Sequence, residues 1–191
     1  MMRVLLPNIS VAVQIELQDG YDSVADSDWL ETVVRCGLAQ VLSPDASGQV
    51  SLLLTDDDTV RELNREFRGV DRTTDVLSFS AAHAGHWAGD EAPPDAIESW
   101  HMDFPMPDGE PPPLGDIVVS VPQANRQAEA QGVPLLRELA LLIVHGALHL
   151  LGHDHYEDAE RGEMQRLERA ALAEVFGDVD YGGASASSLR L

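Results

Sequence analysis

Apolar and polar residues alternate over Val11–Glu16 (VAVQIE), the period of a half-buried β-strand. Asp28–Val41 instead has helical spacing, and Gln49–Leu54 (QVSLLL) is a short apolar run of buried-strand length. Thr55 followed by Asp58 reads as a capping box that opens a helix through about Phe67. Thr74–Phe79 (TDVLSF) and Gly115–Val121 (GDIVVSV) are two further short strands. Pro122 suits the first turn of a helix that ends before Gly132. Pro134 opens the next helix, which runs to Gly152, and a last one covers Glu157–Phe176 and stops at Gly177. Strands come first and helices dominate later, so the expected fold is α+β, a small mixed, mostly parallel sheet packed on helices.

Two segments fall outside this pattern. Ser80–Pro113 holds seven of the 11 prolines and reads as a long loop. Residues 179–191 are small and polar and read as a frayed tail. The length of 191 residues fits one domain.

Charge changes the picture more than composition does. The chain carries 12 basic against 33 acidic side chains, a net of -21, and every basic residue is Arg. That field repels polyanions at long range and argues against a general nucleic-acid coat, so any RNA site needs a local cationic patch. Aromatics make up only 5% of the chain, which argues against a base-stacking platform. Cys36 is the one cysteine, which excludes an intramolecular disulfide and a Cys-rich zinc site and suits a reducing compartment. The N-terminus has one Arg, a very short apolar run and no small-residue cleavage site, so no signal peptide is expected. The longest apolar stretch, Leu139–Leu151, is interrupted by two His and is shorter than the ~18 residues of a membrane span. A soluble, cytoplasmic protein is expected.

Candidate chemistry is concentrated in Val144–Tyr156 (VHGALHLLGHDHY). His145 and His149 are four apart on a helix and project from one face. Gly152 stops the helix, which lets the chain turn back and deliver His155 as a third ligand. Three His with an open fourth position are the donor set of a catalytic zinc site, in which the pKa of bound water falls toward ~7. His153 has the wrong spacing for the ligand face and reads as supporting or exposed. Asp154 suits two roles equally, orienting a ligand imidazole or capping the last helix. The His145, His149, Gly152, His155 spacing is that of the metzincin proteases, H-E-x-x-H-x-x-G-x-x-H. Those enzymes carry their general base immediately after the first His, and this chain has Gly146 there.

Arg61, Arg65, Arg68 and Arg72 fall among three acids, a net of +1 over residues 61–72, among the least negative parts of the chain. A guanidinium on that helix can grip a phosphate bidentately. For Arg61 and Arg65 a solvated face with ion pairs is the better reading. For Arg68 both readings stand.

Three motifs carry a resemblance. Leu63-Asn64-x-x-Phe67-Arg68-x-x-Asp71-x-x-Thr74-Asp75-Val76-Leu77-Ser78-Phe79 resembles the first motif of the YbeY family. Leu114–Val118 (LGDIV) resembles its second, and His145-Gly146-x-Leu148-His149-Leu150-x-Gly152-x-Asp154-His155 its third. They occur in family order over about residues 50–176. The resemblance implies one catalytic domain over residues 1–178, with 80–113 as a loop insertion and a central ligand-bearing helix. It implies a metal-dependent, usually zinc-dependent, endoribonuclease specific for single-stranded RNA. The implied work is ribosomal RNA maturation, notably at the small-subunit 3′ end, and ribosome quality control. His145, His149 and His155 are implied as ligands of one Zn2+, and Arg68 as a required residue in the cleft near it. The small ribosomal subunit and its assembly proteins are implied partners; DNA and membranes are not. Ser78, Asp75 and Asp116 share the resemblance without a role that can be derived. Two features depart from the family: the 80–113 segment is longer than usual, and Ser80 stands where a proline is familiar. The loop residues His83, His86 and His101 read as solvated rather than as a second metal site. The alternatives are an assembly factor whose metal only braces the fold, a metalloprotease, and a phosphodiesterase acting on small substrates.

Overall fold

The computed structural model describes residues 9–82, 111–153 and 158–177. His83, His86, His101, Asp154, His155 and the 179–191 tail lie outside them. Four strands form one sheet: β1 (Ser10–Leu17), β2 (Ser47–Thr55), β3 (Val76–Ser80) and β4 (Pro113–Ser120). Their order is β1-β2-β4-β3. β1, β2 and β4 run parallel, and β3 closes one edge antiparallel to β4, so the sheet is mixed as expected.

The two faces of the sheet differ, because alternate side chains of a strand point to opposite sides. Val50, Leu52 and Leu54 of β2 and Ile117 and Val119 of β4 enter the main core. That core is shared with α1 (Ser27–Ala39), α4 (Leu135–Leu150) and α5 (Asp158–Phe176). Val118 and Leu77 face the other way and form a small cluster with Val60 of α2 (Asp57–Arg68). α3 (Val121–Gln131) follows β4 directly, with Pro122 in its first turn and Ser120 capping it.

α4 is the central helix. Twelve of its 16 residues are buried, which no surface helix would tolerate. Leu139, Leu142, Ile143 and Leu148 are fully buried, each contributing about 2 kcal/mol of transfer free energy. Two glycines bring other backbone close to it or let it approach. A Cβ on Gly37 of α1 would stand 3.1 Å from Ala147 Cβ. A Cβ on Gly146 would stand 2.9 Å from Ile117 Cγ2 of β4.

Several boundaries differ from the sequence reading. The cap of α2 is Asp56, whose side chain accepts from Thr59 N at 2.8 Å. Thr55 is still strand, paired with Ser120, and so is unable to serve as the cap. Ser80 and Pro113 are likewise strand residues, because β3 and β4 pair down to Ser80 and Gly115 and β4 begins at Pro113. The connection between them is therefore 81–112.

Candidate active site

α4 ends at Leu150, and Gly152 takes a φ of 83°, a conformation that would strain any residue with a Cβ. His153 N donates to Leu148 O at 3.1 Å and closes the turn. One turn apart just before this stop, His145 and His149 meet as expected. Their Nε2 atoms are 3.0 Å apart and their rings stand edge to face. His145 is buried and His149 half-buried, so the pair grades from the core toward the surface.

The other ring nitrogen of His145 meets a partner that the sequence reading missed. His145 Nδ1 lies 2.7 Å from Glu168 Oε1, and both side chains are more than nine-tenths buried. With the carboxylate accepting from Nδ1–H, Nε2 is the unprotonated ring nitrogen of His145. Two converging imidazole lone pairs repel unless a proton or a cation lies between them. Two nitrogens ~2.0–2.1 Å from one tetrahedral ion would stand roughly 3.3 Å apart, close to the separation found. The pair therefore fits a metal centre. Among the described residues no third His, Cys, Asp or Glu completes a ligand group with it. The signal for Glu168 was present in the sequence: it interrupts the apolar stripe Met164, Leu167, Ala171, Val175 of α5.

Gly146 bears on the protease alternative. Its missing Cβ faces Ile117 and, at 3.4 Å, Val76 Cγ2. A glutamate at this position has no room while α4 lies this close to the sheet, so the metzincin base is excluded sterically as well as by sequence. Cys36 is also unsuited to chemistry, since burial pushes its thiol up to about 12.

Arg68 is the last residue of α2 and is half-buried. Two contacts locate it relative to the histidines. Phe67 packs edge to face on Phe79, with centroids 5.1 Å apart. Ser80 Oγ donates to Leu150 O at 2.8 Å. The C-terminal ends of α2 and α4 thus flank the same end of the edge strand β3, from opposite faces of the sheet. Arg61 pairs with Asp71 through two hydrogen bonds of 2.7 and 3.1 Å, and Arg65 lies 3.6 Å from Glu62. Both are the solvated ion pairs expected of them. Asp75 accepts from Val76 N and Gln127 Nε2 and so starts β3, whereas Asp116 is exposed on β4. Ser78 stands opposite Ile117 in the ladder.

No single helix among the described residues is long and apolar enough to cross a membrane. Comparison with known proteins agrees with the geometry. The family profile described as Endoribonuclease YbeY matches residues 14–176. The chain is 40% identical over 160 residues to the Endoribonuclease YbeY of Desulfitobacterium hafniense, covering 81% of this chain and 92% of that one. It is 43% identical over 156 residues to that of Moorella thermoacetica (81% and 91% covered). It is 36% identical over 180 residues to that of Paramagnetospirillum magneticum (91% and 96% covered). The solution structure of TM1509 from Thermotoga maritima is similar at a TM-score of 0.52 and 25% identity, over 90% of this chain and 99% of that one. Matched along most of its length by profile and relatives alike, the chain belongs to the endoribonuclease YbeY family.

Proposed function

We propose that the chain is a zinc-dependent endoribonuclease of single-stranded ribosomal RNA. It acts in the cytoplasm on the small-subunit 3′ end and in ribosome quality control, in contact with the small subunit and its assembly proteins. The observation that carries this reading is the convergence of two imidazole nitrogens, one of them oriented by a buried carboxylate, in a chain of this family. His145, His149 and His155 would hold the ion. When bound, a zinc ion supplies Lewis-acid charge and a water of lowered pKa.

The chain's own residues do the rest. Glu168 keeps the proton of His145 on Nδ1 and fixes the ring, which holds Nε2 available. Gly146 lets α4 lie against β4 and so holds the His pair at a set height over β3. The Arg68 guanidinium donates to the non-bridging phosphoryl oxygens as charge builds on them, where one positioned donor is worth roughly 3 kcal/mol. No carboxylate on α4 beside the His pair acts as base, in contrast to the proteases of the same ligand spacing.

The test is cleavage of a single-stranded ribosomal RNA fragment by the wild type, His149→Ala and Arg68→Ala purified side by side. His149→Ala is expected to lose both zinc and cleavage, and Arg68→Ala to keep zinc and lose turnover. Equal cleavage by all three points to a contaminant and leaves an assembly factor with a bracing metal. A 2′,3′-cyclic phosphate on the product shows attack by the ribose 2′-hydroxyl and rules out direct attack by water as the sole step.

A further inference from the structure

Phe67 is out of place for a core residue. Val60, Leu63 and Phe67 form one apolar stripe on α2, and Val60 is fully buried under it. Phe67 overruns the sheet and is 49% exposed, the most exposed of the large apolar side chains described. Packing alone would favour a shorter or polar residue at such a position, since half of the ring gains nothing from burial. The ring is nevertheless held, edge to face, by Phe79 of the edge strand. It directly precedes Arg68, in a twelve-residue stretch, 61–72, where this chain of net charge -21 carries a net +1. It also lies at the end of β3 where α4 delivers His149, as the Ser80–Leu150 hydrogen bond shows.

We propose that Phe67 is a base-stacking platform that seats one nucleobase of the RNA beside the scissile phosphate. This deepens the nuclease reading above and rests on it for the identity of the phosphate. A preorganised ring is suited to the work: an exposed aromatic face accepts any base, and the local cationic charge admits the backbone that a chain this acidic otherwise repels. It also gives a physical origin for single-strand selectivity. A base in a duplex is already stacked on its neighbours, and only an unpaired one is free to turn onto Phe67. One ring in the right place suffices, so the low aromatic content does not count against it.

The test measures binding of two uncleavable 2′-O-methyl oligonucleotides of equal length, one with its bases and one abasic throughout. Phe67→Leu is expected to weaken binding of the base-bearing strand by about tenfold and to leave the abasic strand unchanged. Phe67→Trp is expected to keep wild-type affinity, and its added emission should be quenched by the base-bearing strand alone. Thermal unfolding of each variant separates loss of stacking from loss of fold. Unchanged binding of both strands by a folded Phe67→Leu overturns the proposal and assigns the exposed ring to a protein partner. Equal weakening on both strands also overturns it, since a stacking ring cannot sense a strand without bases. The two readings fail separately. Base-dependent binding by a wild type that cleaves no RNA refutes the nuclease and keeps the platform. Normal cleavage with an unchanged KM in Phe67→Leu does the reverse.

Discussion

α4 and α2 pack on opposite faces of one sheet and are held there by opposite means. α4 is embedded: its neighbours are apolar and close, and glycines set the distances. α2 buries only Val60 and Asn64 and is fastened by polar contacts. Asp56 caps it, and Asp57 accepts from Ser120 Oγ at 2.6 Å and from Arg126 at 2.8 Å. Asn64 Nδ2 donates to Arg72 O. Two carboxyl groups register the contrast. Burial pushes Glu138 of α4 above the usual carboxylate range, with Asp75 adding to the effect. Hydrogen bonds, first from the Thr59 backbone and then from the Thr59 and Gln18 side chains, hold Asp56 below it. His145 and His149, proposed above to hold a metal, therefore sit on the part of the molecule least able to shift. The cation and the aromatic ring assigned to the substrate sit on a part anchored at the surface, where sequence can change without disturbing the core.

The sharpest way to break this contrast is through Glu168. Glu168→Gln keeps the shape and removes the charge behind His145, and zinc affinity is expected to fall about 10–100-fold in a competitive chelator titration. Unchanged affinity would mean that the carboxylate does not orient the ligand. Next comes the helix–sheet contact: Gly146→Ala forces Ile117 aside and is expected to cost about 1–3 kcal/mol in urea unfolding. The same substitution at Gly162, which has open space around it on α5, is expected to stabilise by roughly 0.5–1 kcal/mol. Two effects of the same sign would show that packing around α4 is not the constraint described.

On the polar side, Asp56→Ala is expected to cost about 1 kcal/mol at neutral pH. Because the folded state holds this carboxyl below its ordinary value of 3.8, its contribution is complete above that pH. The contribution is lost as pH falls through the folded value, so wild type and variant should converge in thermal stability in acid. Glu138→Gln is the smallest effect and has the opposite form. The folded state raises this carboxyl above 4.5, so ionising it opposes folding as pH rises through the folded value. The variant should gain slightly in melting temperature at neutral pH and match the wild type below pH 4.5.

Most of the fold was legible because each element carries its own period and its own stops. Val11–Glu16 extends by one residue at each end in β1, and Gly132 and Gly177 end helices where expected. Errors fell where a neighbour decides the boundary. Thr55 has the chemistry of a cap, yet pairing with Ser120 draws it into β2 and passes the role to Asp56. Thr74 and Asp75 look like strand, but the Asp75 carboxylate takes Val76 N and delays β3 to Val76.

The site divides in the same way. Spacing of four residues on a helix determined that His145 and His149 would share a face, and the glycine after them determined where that helix would end, because both are local backbone geometry. Tertiary structure alone decided that Glu168, 23 residues away on another helix, would stand behind His145. It alone showed that Gly146 is a packing requirement of the sheet, and that Phe67 is left half in solvent at the end of β3 to which the C-terminal end of α4 is tied. Period and propensity act along the chain, whereas a buried hydrogen bond and an exposed ring depend on what the rest of the fold places beside them.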